Sequence, residues 1–212
     1  GVRRAAAEPK KGGVFRVGIG HGSSTDGYDP GLWDQLYVQT YAAARHNYLI
    51  EIGAVGSLVP VIAVSWESAD GMTWVFKIRE GVTFHSGKSL TEDDVVASLN
   101  HHRGEGSTSA VKPYFDAVTD IKADGQNVVV TLSAPNADFP YLMSDYHLPV
   151  MASADGKIDV TSTDGCGGYV VESFEPGVQA TLNRNPNYWK SDRAHFDKIV
   201  LLAILDAAAR LN

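Results

Sequence analysis

Cysteine is almost absent from this 212-residue chain: Cys166 stands alone, so no internal disulfide can form. A single cysteine is compatible with the cytosol and with a periplasm alike, and does not choose between them. Positive charge is also short. Eighteen Lys and Arg stand against 25 Asp and Glu, a net charge of −7, and without a basic stripe nucleic acid is not expected as a partner. No run of about 18 apolar residues is present, the length a membrane-crossing helix needs, so any membrane association is expected to be peripheral at most. The opening GVRRAAAEPKKGG lacks the apolar stretch of about 7–15 residues found in an intact signal peptide. Residues 1–11 are expected to be a flexible lead-in, as at a mature or trimmed N-terminus; a cytosolic protein with a loose tail has the same composition there. Internal repeats and low-complexity tracts are missing as well.

What is present is ordinary for a globular protein: 44% hydrophobic and 20% charged residues, in a length that suits one large domain or two small ones. Val14–Ile19 is a β-branched run and reads as a strand. Gly20–Gly31 is a Gly-, Ser- and Asp-rich loop, and the spacing of Leu32, Leu36, Val38, Tyr41 and Ala42 predicts a helix over Leu32–Arg45. Pro60–Trp66 and Thr73–Arg79 read as a hairpin around Asp70-Gly71, with Trp74, Phe76 and Ile78 on one face and Val75 and Lys77 on the other. Leu90–Arg103 reads as a helix, with Thr91 at its cap, Asp94 at the capping-box position, and acidic Glu92, Asp93 and Asp94 opposing the positive end of its dipole. A second hairpin, Val118–Ala123 and Val128–Leu132, turns at Asp124-Gly125. A short helix over Ala137–Ser144 follows, then a glycine turn at Gly165–Gly168, strands at Tyr169–Phe174 and Gln179–Asn183, a buried strand within Phe196–Ile204, and a helix beginning at Ala207.

Candidate chemistry is sparse. His101 and His102 are adjacent on a helix and point about 100° apart, so they cannot chelate a metal through one face; they read as cationic caps at the negative end of the helix dipole. His21, His46, His147 and His195 are scattered without ligand spacing, and no metal or cofactor is expected. Ser23, Ser24 and Thr25 follow the first strand, but no Gly-x-Ser-x-Gly elbow surrounds them; they read as ligand-contacting hydroxyls rather than nucleophiles. Cys166 has no adjacent cation to activate it and reads as a packing residue.

Two longer stretches carry a resemblance. One holds Ser65-Trp66-Glu67, Asp70-Gly71, Phe76–Arg79, Gly81-Val82-Thr83-Phe84-His85-Ser86-Gly87 and Thr91-Glu92-Asp93-Asp94-Val95. The other holds Gly165-Cys166-Gly167-Gly168-Tyr169, Glu172–Gly177 and Arg184-Asn185-Pro186-Asn187-Tyr188-Trp189. Their order and spacing, across nearly the whole chain, resemble the family 5 extracytoplasmic solute-binding proteins of ABC importers, the dipeptide, oligopeptide and nickel type. Cys166 and Gly168 depart from the usual Thr and Pro; neither is bulky, so the turn is expected to survive.

The resemblance implies a mixed α/β (α+β) fold of the class II periplasmic-binding-protein kind. In that reading residues 12–45 and 165–212 form part of a discontinuous first lobe, residues 46–164 form an inserted second domain, and the opposing lobe is absent. It also implies solute capture, for peptides or a peptide-like nutrient, in a cleft between lobes that closes by a hinge. Delivery to the membrane permease of an importer in the periplasm follows, with no reaction catalysed. The loop His21–Asp26, with His21, Ser23, Ser24 and Thr25, would border the cleft. Tyr114 would bring an aromatic ring to the ligand or else lie in the core. Trp33 would line the cleft or else anchor its helix. His85 reads as a structural histidine bonded to backbone, rather than as a metal ligand or general base. Asp29-Pro30 resembles a family turn, and the acidic groups that meet a peptide amine in relatives would lie outside this chain. Alone, the chain is expected to bind no ligand of the family tightly. The alternatives are a ligand-sensing module on the same fold, because fold does not fix function, and a serine hydrolase using Ser23 or Ser24 with a histidine.

Overall fold

The first strand and the last lie side by side. In the computed structural model, which describes residues 9–211, β1 (Val14–Ile19) opens the chain. Helix α1 (Leu36–Arg45), the pair β2 (Ile50–Ile52) and β3 (Leu58–Pro60), then β4 (Ala63–Glu67) and β5 (Thr73–Ile78) follow. Helix α2 (Glu92–Asn100), β6 (Val118–Asp124), β7 (Asn127–Leu132) and the single-turn α3 (Phe139–Leu142) come next. The short pair β8 (Ser153–Ala154) and β9 (Lys157–Ile158) leads to β10 (Tyr169–Glu175), β11 (Gln179–Arg184) and β12 (Lys198–Ala203). Residues 1–8 of the expected lead-in lie outside the described residues, and residues 9–11 belong to no regular element.

Two four-stranded sheets result. One runs β1-β12-β11-β10, with β1 parallel to β12 (Val14 opposite Lys198 through Ile19 opposite Ala203) and the other pairs antiparallel. Helix α1 lays Tyr37, Val38, Tyr41 and Ala42 on this sheet, against Ile19, Ala180, Leu182, Ile199 and Leu201. The other sheet runs β4-β5-β7-β6, fully antiparallel. Its inward face carries Phe76, Ile78, Val128, Val130 and Leu132, and α2 covers it with Val95 and Leu99. The alternation along β5 is as expected: Trp74, Phe76 and Ile78 are buried, while Val75 and Lys77 are not. Asp70 forms its turn by accepting the Met72 and Thr73 N–H groups at 2.8 Å, beside Gly71 at φ +70°. At the start of α2 the Thr91 N–H donates to the Asp94 carboxylate at 2.9 Å, as a capping box requires.

Several boundaries differ from the sequence reading. The helix expected from Leu32 begins at Leu36. Pro30–Leu32 is a 3-10 turn and Trp33 is extended, because its indole turns inward to donate to the Gly27 carbonyl at 2.9 Å. The strand expected over Pro60–Trp66 is broken at Val61–Ile62, where Arg79 Nε takes the Val61 carbonyl at 2.7 Å. The helix at the end of the chain is only a 3-10 turn, Ala209–Leu211; Asn212 lies outside the described residues.

The sheets are tied together where the glycine turn passes over the end of α1. A Cβ on Gly167 would fall 2.6 Å from Arg45 C and 2.7 Å from His46 N, and one on Gly165 would collide with the Arg45 carbonyl oxygen. The close approach lets Gly167 N–H donate to Arg45 O at 2.9 Å. His85 N–H donates to Gly165 O at 2.7 Å, while His85 Nε2 and Asn185 Nδ2 both meet the Gly167 carbonyl, at 3.0 and 3.1 Å. His85 is thus bonded to backbone, and the turn forms despite Cys166 and Gly168. We expect Gly167→Ala to destabilise the fold by about 3 kcal/mol or more in urea titrations, since backbone and not a flexible side chain stands in the way. Gly106→Ala, where a Cβ meets nothing within 4 Å, should be near neutral in the same measurement.

Candidate functional site

The loop leaving β1 is held by its own short side chains. Asp26 accepts the Ser23 N–H at 2.9 Å, and its own N–H returns to Ser23 O at 3.0 Å. Burial pushes the Asp26 carboxyl above its ordinary value and the charge of Asp34 adds to this, while the Ser23 bond opposes it. Ser23 Oγ meets Thr25 Oγ1 at 2.7 Å. Underneath, Gly177 of the β10–β11 turn lies so close that a Cβ there would stand 2.8 Å from Ser23 O. The result is a loop with His21, Ser24 and Thr25 exposed and Ser23 half-buried; His21 itself takes φ +62°. The Ser23 hydroxyl bonds Thr25 and has no histidine partner among the described residues, so the base that a hydrolase would need is not beside it.

Trp33 does not present its ring. It is 2% exposed and packs in the α1 core, so the cleft-wall role is corrected to that of an anchor. Its backbone carbonyl receives His147 Nε2 at 2.7 Å, His147 Nδ1 meets Asp145 Oδ1 at 2.7 Å, and Asp145 Oδ2 receives the Tyr114 hydroxyl at 3.1 Å. A continuous bonded path therefore runs from Gly27 in the loop through Trp33, His147 and Asp145 to the half-buried Tyr114. Asp34 and Tyr146 border the same ground: Tyr146 feels the charges of Asp145 and Asp34, and Asp26 feels Asp34. Burial disfavours ionisation of Asp145, but the side-chain and backbone hydrogen bonds of His147 outweigh it and hold the carboxyl below its ordinary value. The path joins Trp33 and Tyr114 from the sequence reading and reaches the loop at Gly27; the exposed His21, Ser24 and Thr25 stay off it. Asp145 and His147 were missed because nothing in their spacing marks a pair whose partners, Tyr114 and Trp33, lie 31 and 114 positions away.

The same seam carries a second histidine contact. His101 Nε2 meets Asp29 Oδ1 at 2.8 Å, and Asp29 also caps Gly31 N–H at 2.9 Å. The expected helix-cap role is corrected for His102; His101 stands at the C-cap of α2, where its N–H bonds Ala97 O at 3.1 Å. The helix ends at Asn100, His101 serves Asp29, and His102 is fully buried against Ser109 Oγ at 2.7 Å. Burial, helped by the charges of His101 and His147, pushes the His102 ring down to about 3, so it is neutral and cannot complement a dipole. Among the described residues no three His, Cys, Asp or Glu side chains are grouped to hold a metal ion.

Two outcomes follow. The His101 bond is the largest influence on Asp29 and lowers its pKa. That stability is present above the unfolded carboxyl value near 3.9 and is lost as pH falls through the lower folded value. The cost of Asp29→Asn should therefore be about 1 kcal/mol near neutrality and fade as the pH falls below the unfolded carboxyl value, read by denaturation at several pH values. Burial pushes the Cys166 thiol up to about 12. In native protein at pH 8 it should resist iodoacetamide, and react only when guanidinium unfolds the chain.

Comparison with known proteins places this geometry. The model of bacterial extracellular solute-binding proteins, family 5 Middle, matches residues 57–212. Over 90% of its length the chain is 28% identical to Di/tripeptide-binding protein 2 of Pseudomonas aeruginosa (strain UCBPP-PA14), covering 41% of that protein. Its fold superposes on the PBP AgaA of A. tumefaciens R10 in complex with agropinic acid, with a TM-score of 0.84 at 22% identity over 94% of this chain and 41% of AgaA. It also superposes on the oligopeptide-binding protein AppA of Bacillus subtilis in complex with a nonapeptide, with a TM-score of 0.84 at 20% identity over 95% of this chain and 42% of AppA. At such identities the structural likeness carries the fold alone. The chain spans about two fifths of the length of these relatives.

Proposed function

This chain belongs to the bacterial extracellular solute-binding proteins of family 5, and from that premise we propose that it supplies part of the binding subunit of an ABC importer for peptides or a peptide-like nutrient. The observation that carries the reading is the family match over residues 57–212; the di/tripeptide-binding relative supports the solute class. In this reading residues 12–45 and 165–212 are part of one lobe, and residues 46–164 are a domain inserted into it. Two hydrophobic cores support the division: one beneath the β4–β7 sheet and one between α1 and the β1–β12 sheet.

The solute lies along a rim formed by the loop after β1 and by Tyr114, which the bonded path from Gly27 links. His21, Ser23, Ser24 and Thr25 offer hydroxyl, imidazole and backbone groups there, and Tyr114 offers a ring. Trp33 supports the rim from below. A second lobe, of the length the relatives have beyond this match, closes over the solute, and a membrane permease receives it outside the cytoplasm. Binding is non-covalent, and no residue described here is asked to transfer a proton or a group.

The test is thermal shift and calorimetry on the two-lobe protein, against trialanine, nickel(II) and maltotriose, with the 212-residue chain alongside. A ligand that binds only the native state raises Tm, by an amount set by RT ln(1 + [L]/Kd). Trialanine should shift the two-lobe protein and leave the 212-residue chain unmoved. A shift with maltotriose or nickel alone would replace the solute class, and a shift of the short chain would place the whole site within it.

A further inference from the structure

The short hairpin of β8 and β9 packs on α2, and the groove beside it differs in charge from its surroundings. Ser153 ties the hairpin down: its N–H and its hydroxyl both donate to Asp94 Oδ1 at 2.8 Å, and Asp94 is wholly buried in the first turn of α2. The hairpin turns at Asp155-Gly156, with φ +51° and +73°. Between it and the loop that leaves α2 lies a groove of about 600 Å³, a volume within the range of small-molecule sites. Ala97, Ile158 and Val160 give it an apolar lining, and Arg103 and Lys157 line it with charge. No Asp or Glu among the described residues lines it, although acids outnumber Lys and Arg by 25 to 18 in the chain. The two grooves that share residues with it are different: Asp159 and Asp164 line one, Asp93 and Asp155 the other.

Arg103 is held in place by neutral acceptors. Its Nη1 donates to Asn100 Oδ1 at 3.1 Å and its Nη2 to Val118 O at 2.9 Å, which orients the guanidinium without cancelling its charge. Lys157 stands on the hairpin wall. Neither cation enters an ion pair among the described residues. One carboxylate, Asp29, bonds a lining residue, and it is answered by that residue, His101, at 2.8 Å. We propose that this groove is a binding site for a small organic anion, with the carboxylate or phosphate head at Arg103 and Lys157 and the apolar body on Ala97, Ile158 and Val160. A guanidinium fork matches either head group. In a half-enclosed groove the two positive charges are screened less than on open surface, so an anion gains there what a neutral or cationic molecule of the same shape does not. Every lining residue belongs to residues 46–164, and the inference does not depend on peptides being the solute of the rim.

The test is a titration of the two-lobe protein carrying 13C-labelled isoleucine methyl groups, with the Ile158 signal assigned by its loss in Ile158→Val. The probes are hexanoate, hexyl phosphate, hexylammonium and acetate. Hexanoate or hexyl phosphate should move the Ile158 signal to saturation, with a Kd on the order of 1 mM for ligands of this size, and the tighter of the two identifies the head group. Hexylammonium, with the same body and the opposite charge, should leave the signal in place, and acetate should not saturate over the same range. Lys157→Glu, a change at an exposed side chain, should weaken the binding roughly fivefold, and Arg103→Gln should weaken it by a similar factor. An Ile158 signal that neither anion moves overturns the site. A signal that hexylammonium moves as readily, or binding that is unchanged in both Lys157→Glu and Arg103→Gln, overturns the selection for anions. Acetate saturating like hexanoate overturns the apolar half of the assignment. Since Lys157 makes no contact that the fold needs, its variant decides the matter even where Arg103→Gln fails to fold.

Discussion

Everything in this molecule is referred to one close approach of backbone to backbone, where Gly165 and Gly167 lie against Arg45 and His46. The approach has no room for a side chain, and two side chains brought from elsewhere, His85 and Asn185, bond the carbonyl that it exposes. The end of α1, the segment before α2 and the strand pair that closes the first sheet all meet at this point. The sheets themselves share no strand. Their relative placement therefore depends on loops, and this turn is the tightest of them. It also explains the burial of Arg45, whose guanidinium bonds the Ser162 carbonyl at 3.1 Å and lies 5.0 and 4.9 Å from the Tyr28 and Tyr41 ring centres. Burial drives its pKa down, against the pull of the tyrosines and Asp164. The aromatic faces stand in for much of the water it has lost.

Burial sorts the histidines along the same seam into different electrostatic roles. His46 and His102 are enclosed and neutral; burial and neighbouring positive charge drive both rings down. His101 and His147 keep carboxylate partners, Asp29 and Asp145. The neutral rings pack, and the paired rings stitch the 3-10 turn and Trp33 to the end of α2 and to the segment after α3. One residue type thus packs and fastens within a few ångströms, and the presence or absence of a carboxylate decides which.

How much of this was legible in the sequence follows from the range of each interaction. The β5 alternation, the Asp-Gly turns and the Thr91–Asp94 capping box depend on neighbours a few positions apart, and the sequence shows them directly. Trp33 was misread because helical spacing is a local signal, while its indole and carbonyl answer to Gly27 and to His147, over a hundred residues on. The polar loop at His21–Asp26 was visible as a loop after a strand. The Asp145–His147 pair was not visible, since two polar residues in a short connection give no hint that one faces Trp33 and the other Tyr114. The glycines at 165–168 were recognisable as a signature, but the reason for them, the backbone of Arg45 and His46 beneath, exists only in three dimensions.

The parallel pairing of β1 with β12 sets an order of events when the chain is made. Gly13 and Asp197, which bond each other at the start of that pair, are 184 positions apart. The hairpin β6–β7 and the antiparallel β4–β5 pair close over a few residues and can form as soon as they emerge. β1 must wait for β12, the last strand described here, and Ile19, buried in the folded protein, stays unprotected in the meantime. Its vulnerable interval is set by the time needed to synthesise everything between, so slow synthesis or slow passage through a membrane prolongs the exposure of an unpaired edge to other chains.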